Sequence, residues 1–116
     1  MASEDDLCNR AYELLCEGKA QEAIELYKRV LAANPEHGAA LHELAMAYAD
    51  EEMLDEAIET TKRLARLTPQ DPLVYTDLSR LYQRKGMVAE AEAEAAKARM
   101  HGWRKELEES GGGEKN

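Results

Sequence analysis

Two cysteines, three histidines and a dense set of carboxylates are the side chains of this 116-residue chain that could do chemistry. A Cys–His pair can make a thiolate nucleophile, and Cys, His and carboxylate together can hold zinc. The spacings argue against both. On one helix, Cys8 and Cys16 would stand about 12 Å apart in rise and about 80° apart in angle. That is too far for one metal, and too far for a disulfide, whose Cα atoms lie within about 7 Å. His37 and His42 are five residues apart, about 140° around a helix. The neighbouring acids Glu51-Glu52 and Asp55-Glu56 have nothing beside them to desolvate a carboxyl and raise its pKa. Gly111-Gly112-Gly113 is followed by no Lys-Ser/Thr and is no phosphate loop. No catalytic residue, no metal site and no cofactor are expected, and the chain is not read as an enzyme.

The elements that carry these residues must be helices. The chain has 19 Ala and 14 Leu, no Phe and three Pro, while Val and Ile are scarce. That composition favours helix over sheet and predicts an all-α fold. A net charge of −9 repels phosphates and excludes general nucleic-acid binding. No apolar run approaches the roughly 20 residues of a membrane span, so no membrane insertion is expected. The start, Met1-Ala2-Ser3-Glu4-Asp5-Asp6, is acidic and carries no secretory signal pattern. With two free thiols, the expected location is cytoplasmic.

A repeat of 34 residues organises the chain. Ala23, Ala57 and Ala91 are 34 apart, as are Pro35 and Pro69, Leu44 and Leu78, and Tyr48 and Tyr82. Gly18 and Gly86 are two repeats apart, with Glu52 midway. Three units follow, at 4–37, 38–71 and 72–105. Each reads as two helices. Leu7, Ala11, Leu14 and Leu15 make one stripe, and Ala20, Ala23, Ile24, Tyr27, Val30 and Leu31 a second, broken by Gly18-Lys19 and ended by Asn34-Pro35. Ser3 with Asp6 resembles a capping box, and Asp71-Pro72 an N-cap followed by Pro. Small residues twelve apart, Ala11/Ala23, Ala45/Ala57 and Ser79/Ala91, permit close helix crossings.

Period and pattern resemble the tetratricopeptide repeat family. The matching residues include Leu7, Ala11, Leu14, Gly18, Ala23, Tyr27 and Pro35, then Leu41, Leu44, Ala45, Tyr48, Ala57 and Pro69, then Tyr75, Leu78, Ser79, Tyr82, Gly86 and Ala91. Arg10, Thr61, Ala95 and Trp103 depart from it. The resemblance implies an α-solenoid, a right-handed superhelix of three helix-turn-helix repeats whose first helices line a concave groove. It implies a protein–protein interaction module or adaptor taking a peptide or partner helix. One domain is expected over 1–109, with a capping segment at about 103–109 and a disordered tail at 110–116.

Helical spacing places Asp5, Cys8, Asn9, Tyr12 and Cys16 of the first unit on the groove face. From the second it places Ala39, His42, Glu43, Met46 and Asp50, and from the third Leu73, Thr76, Asp77, Arg80 and Arg84. Some family members clamp the carboxylates of chaperone tails with Lys, Asn and Arg. The corresponding residues here are Cys8, Tyr12, Glu43, Leu73 and Asp77, so such tails are not the expected ligand.

Charge is uneven: net −4 and −5 in the first two units, +3 in the third and −3 beyond it. Two readings compete. Arg80 and Arg84 receive an acidic peptide, or the basic end of one molecule meets the acidic start of another. Trp103 and Leu107, after Gly102, are read either as a cap over the last repeat or as an interface anchor. Alternatives to the adaptor are a self-assembling scaffold built through charged ends and a small secretion-type chaperone.

Overall fold

The computed structural model describes residues 3–111, and among these every regular element is a helix. Six occur: α1 (Glu4–Cys16), α2 (Ala20–Ala33), α3 (Gly38–Asp50), α4 (Leu54–Leu67), α5 (Pro72–Arg84) and α6 (Val88–Glu109). They fall into two compact units, Met1–Leu67 with α1 to α4 and Thr68–Asn116 with α5 and α6.

The same capping device opens each helix pair. Ser3 Oγ accepts the Asp6 amide at 3.1 Å, His37 Nδ1 accepts Ala40 N–H at 3.1 Å, and Asp71 Oδ1 accepts Leu73 N–H at 3.0 Å. The three caps are 34 residues apart and satisfy amides that a helix start otherwise leaves unpaired. Ser3 N–H in turn donates to Asp6 Oδ2 at 3.2 Å, which completes the capping box.

Within unit one, α1 packs on α2, α2 on α3, and α3 on α4. Ala11, Ala23 and Ala57 are fully buried and Ala45 nearly so, where the paired helices cross. Tyr27, Leu41 and Val30 are the largest fully enclosed side chains of the core. Thr61 is buried where the repeat pattern has a bulkier residue, and its hydroxyl donates to Ala57 O at 2.9 Å. The turn between the two helices of each pair passes through the left-handed region, at Gly18 (φ +80°), Glu52 (φ +59°) and Gly86 (φ +77°).

In unit two, α5 packs on α6, and Val74, Leu78, Ser79, Leu81, Tyr82 and Ala91 are buried. Tyr75 stacks on His101 with ring centroids 5.0 Å apart. The helix α6 runs unbroken through Gly102 for 22 residues. Pro72 Cβ lies 4.0 Å from where a Gly102 side chain would begin, an ordinary van der Waals separation. Ser110 and Gly111 close the helix, with Ser110 N–H donating to Glu106 O at 2.9 Å. The rest of the predicted tail, 112–116, lies outside the described residues.

Candidate functional site

In unit one, α1, α3 and the turn before α3 enclose a cavity of about 400 Å³ lined by Asp5, Cys8, Asn9, Tyr12, His37, Ala39 and Glu43. Helical period puts Asp5, Cys8, Asn9 and Tyr12 on one face of α1, because steps of three and four return to the same side. Ala39 and Glu43 are one turn apart on α3 for the same reason. Tyr12 is 48% exposed and Cys8 is buried, so the aromatic stands at the mouth and the thiol near the floor.

The charges here are negative. Tyr27 donates its hydroxyl to Glu43 Oε1 at 2.7 Å and fixes that carboxylate. Asn34 Nδ2 donates to Glu4 Oε1 at 3.2 Å. Burial pushes the Cys8 thiol above its ordinary pKa, and the negative charges of Glu43, Asp5 and Glu4 push it further. Burial likewise raises the Tyr27 phenol, and its bond to Glu43 adds to the effect.

The contacts of His37 decide what chemistry is open to Cys8. The Nε2 atom of His37 lies 4.0 Å from Cys8 Sγ and 3.9 Å from Asp5 Oδ1. Its Nδ1 accepts Ala40 N–H, so in the neutral ring the proton sits on Nε2. A ring protonated at Nε2 cannot take the thiol proton, and the neighbouring acids disfavour a thiolate. The arrangement is not that of an activated cysteine. Among the described residues, no group of three or more His, Cys, Asp or Glu side chains is placed to hold a metal ion.

The structure thus gathers Asp5, Cys8, Asn9, Tyr12, Ala39 and Glu43, all assigned to the groove face by spacing, and adds His37. The sequence signal for His37 was available, since it stands 34 residues after the Ser3 cap and 34 before the Asp71 cap. His42 and Met46 lie exposed on α3 but do not line this cavity, and Cys16 is exposed near the end of α1. In unit two, a cavity of about 350 Å³ joins Leu73 to Gln70, Asp71, Pro72, His101, Arg104, Lys105 and Glu108, without Thr76, Asp77, Arg80 or Arg84. Arg80 and Arg84 are exposed on α5, while Thr76 and Asp77 are half-buried.

Helix pairs capped and turned in the same way every 34 residues define a helical-repeat protein. The tetratricopeptide repeat model matches residues 14–81, more than half of the chain. The chain belongs to the tetratricopeptide repeat family, a class of protein–protein interaction modules. Solved structures share the fold. MamA has a TM-score of 0.85 at 23% identity, over 90% of this chain and 61% of that one. The type III secretion translocator chaperone SycD of Yersinia enterocolitica has 0.81 at 19%, over 93% and 83%. The second TPR of Spaghetti (RPAP3), bound to the HSP90 peptide SRMEEVD, has 0.76 at 22%, over 84% and 90%. This chain spans about three fifths of the MamA chain. No curated protein matches the sequence. Among the described residues no helix is long and apolar enough to cross a membrane.

Proposed function

We propose that this chain is a non-catalytic adaptor whose unit-one cavity takes a partner segment bearing a basic side chain or several N–H donors. The observation that carries this reading is the cavity's chemistry. Asp5 and Glu43 line it, no Lys or Arg does, and Tyr12 offers an exposed ring at the mouth. Two carboxylates, that of Glu43 held by Tyr27, and an amphipathic aromatic suit a cationic guest held by charge-assisted hydrogen bonds and a cation–π contact. They oppose an acidic tail such as the SRMEEVD peptide of the RPAP3 structure. The buried, protonated thiol of Cys8 supports a binding role over a catalytic one, in a reducing, cytoplasmic setting.

A second, separate face belongs to α5. Arg80 and Arg84, one turn apart and exposed, suit an acidic side chain of a partner. Peptide arrays probed with the purified chain test both readings. Peptides rich in Lys or Arg should be retained by wild type and lost with Asn9→Ala/Tyr12→Ala. Acidic peptides, where retained, should be lost with Arg80→Glu/Arg84→Glu. Basic peptides bound equally by wild type and the Asn9/Tyr12 variant would reject the cavity as their site.

A further inference from the structure

The outer side of α6 is built differently from its counterpart in the first repeat. In unit one, α2 packs against both α1 and α3, and its Ile24 (2% exposed) and Leu31 are buried. Two repeats later those positions are Glu92 and Arg99, both exposed. Positions buried on α2 have therefore become charged and exposed on α6. Beside it an apolar stripe has appeared: Ala96, Met100, Trp103 and Leu107 recur at steps of four, three and four. That is the heptad spacing of a helix–helix seam. Met100 is 48%, Trp103 75% and Leu107 60% exposed, so the stripe is not the seam with α5. Ala91, Ala95 and Ala98 lie on the α5 side instead, with Ala91 buried and the other two half-buried. A cavity of about 750 Å³ lies along the outer stripe, lined by Ala96, Arg99, Met100, Gly102, Trp103 and Glu106.

We propose that this stripe is a homodimer interface, closed by the antiparallel α6 of a second copy of the chain. The charges select that occupant. Arg99 and Glu106 flank the same side of the stripe seven residues apart, about 10.5 Å along the axis. At that distance they suit a neighbour better than each other. A two-fold axis beside Met100 and Trp103 sets Arg99 of each copy against Glu106 of the other. The same register lays Met100 on Trp103 and Leu107 over Ala96, large against small, as an isologous contact requires of one surface facing itself. The opposite flank brings Lys97 towards Arg104 of the second copy. Lys97 already engages Glu94 at 3.3 Å, which offsets that repulsion. A central Trp with charges around it has the composition of an interface anchor.

Sedimentation equilibrium of the full chain, from micromolar to sub-millimolar concentration, tests this. Wild type should be a monomer–dimer mixture. Trp103→Glu should be monomeric with an unchanged helical circular dichroism spectrum, because the ring is exposed in the folded chain. Arg99→Glu and Glu106→Arg should each weaken dimerisation about tenfold, since each removes two exposed pairs worth up to about fivefold apiece. The double charge swap should restore the wild-type constant to within about threefold, the residue of imperfect additivity. A wild type that stays monomeric throughout, a Trp103→Glu variant that still dimerises, or a double swap no better than the single variants would overturn the proposal. None of these results bears on peptide capture by unit one.

Discussion

Glu52 occupies a backbone position that the other two repeats give to glycine. Its φ is +59°, beside +80° at Gly18 and +77° at Gly86. A residue with a Cβ in this region costs about 1–2 kcal/mol relative to its right-handed alternatives. Replacing Glu52 by Gly removes that cost but returns about 0.4–1 kcal/mol of unfolded-chain entropy. The net expectation is a gain of about 0.5–1 kcal/mol, or a melting temperature raised by about 2–4 °C for a chain of this size. The converse changes calibrate the scale. A Cβ at Gly18 or Gly86 meets no heavy atom within 4 Å. Gly18→Ala and Gly86→Ala should therefore lose about 1 kcal/mol through the backbone alone. Thermal and urea unfolding followed by circular dichroism read all three variants. A Glu52→Gly variant no more stable than wild type would refute the claim that strain resides in this turn, provided the two Gly→Ala controls fall as expected.

Two further outcomes follow from burial in unit one. Burial and neighbouring acids hold the Cys8 thiol, and burial with the Glu43 bond holds the Tyr27 phenol, above their ordinary values of 9.0 and 10.0. The unfolded chain loses these protons first, so stability is intact below about pH 9 and declines as pH rises through 9 and 10. The urea midpoint should drop across that range for wild type and drop less for Cys8→Ala/Tyr27→Phe; an equal drop in both would refute the assignment. Ala57→Leu should cost about 1–3 kcal/mol by overpacking, because Ala57 is fully buried where α4 crosses α3. Ala39→Leu, on an exposed residue, serves as the control.

The fold was legible because the same physics is written three times. Apolar residues at helical spacing, a proline after the helix, and small residues twelve apart each recur at one period, so a single ambiguous stripe in one unit is settled by its copies. Cap positions were legible at Ser3 and Asp71, whose side chains are strong acceptors for free amides. His37 was harder to read because imidazole accepts only in one tautomer, and only its register between two recognised caps marks it. The unbroken course of α6 was harder to read for a related reason. Gly102 reads as a breaker in isolation, yet the helix continues through it beside Pro72 of α5, a contact no local window contains.

The site divides along the same line. Residues on one face of one helix were predictable, since period alone gathers Cys8, Asn9 and Tyr12 and sets Glu43 a turn from Ala39. The chemistry of the cavity was not, because it depends on which nitrogen of His37 faces Cys8 and on a phenol, Tyr27, that reaches Glu43 from the core. On α6 the position of Ile24 is filled by Glu92 and that of Leu31 by Arg99, so positions buried on α2 are charged and exposed. Met100, Trp103 and Leu107, exposed and turned away from α5, are the surface on which the proposed second α6 would lie in a different register. Charge on the stacking face and bulk beside it form a coherent pair: either alone would leave the helix open to indiscriminate stacking or with nothing to bind.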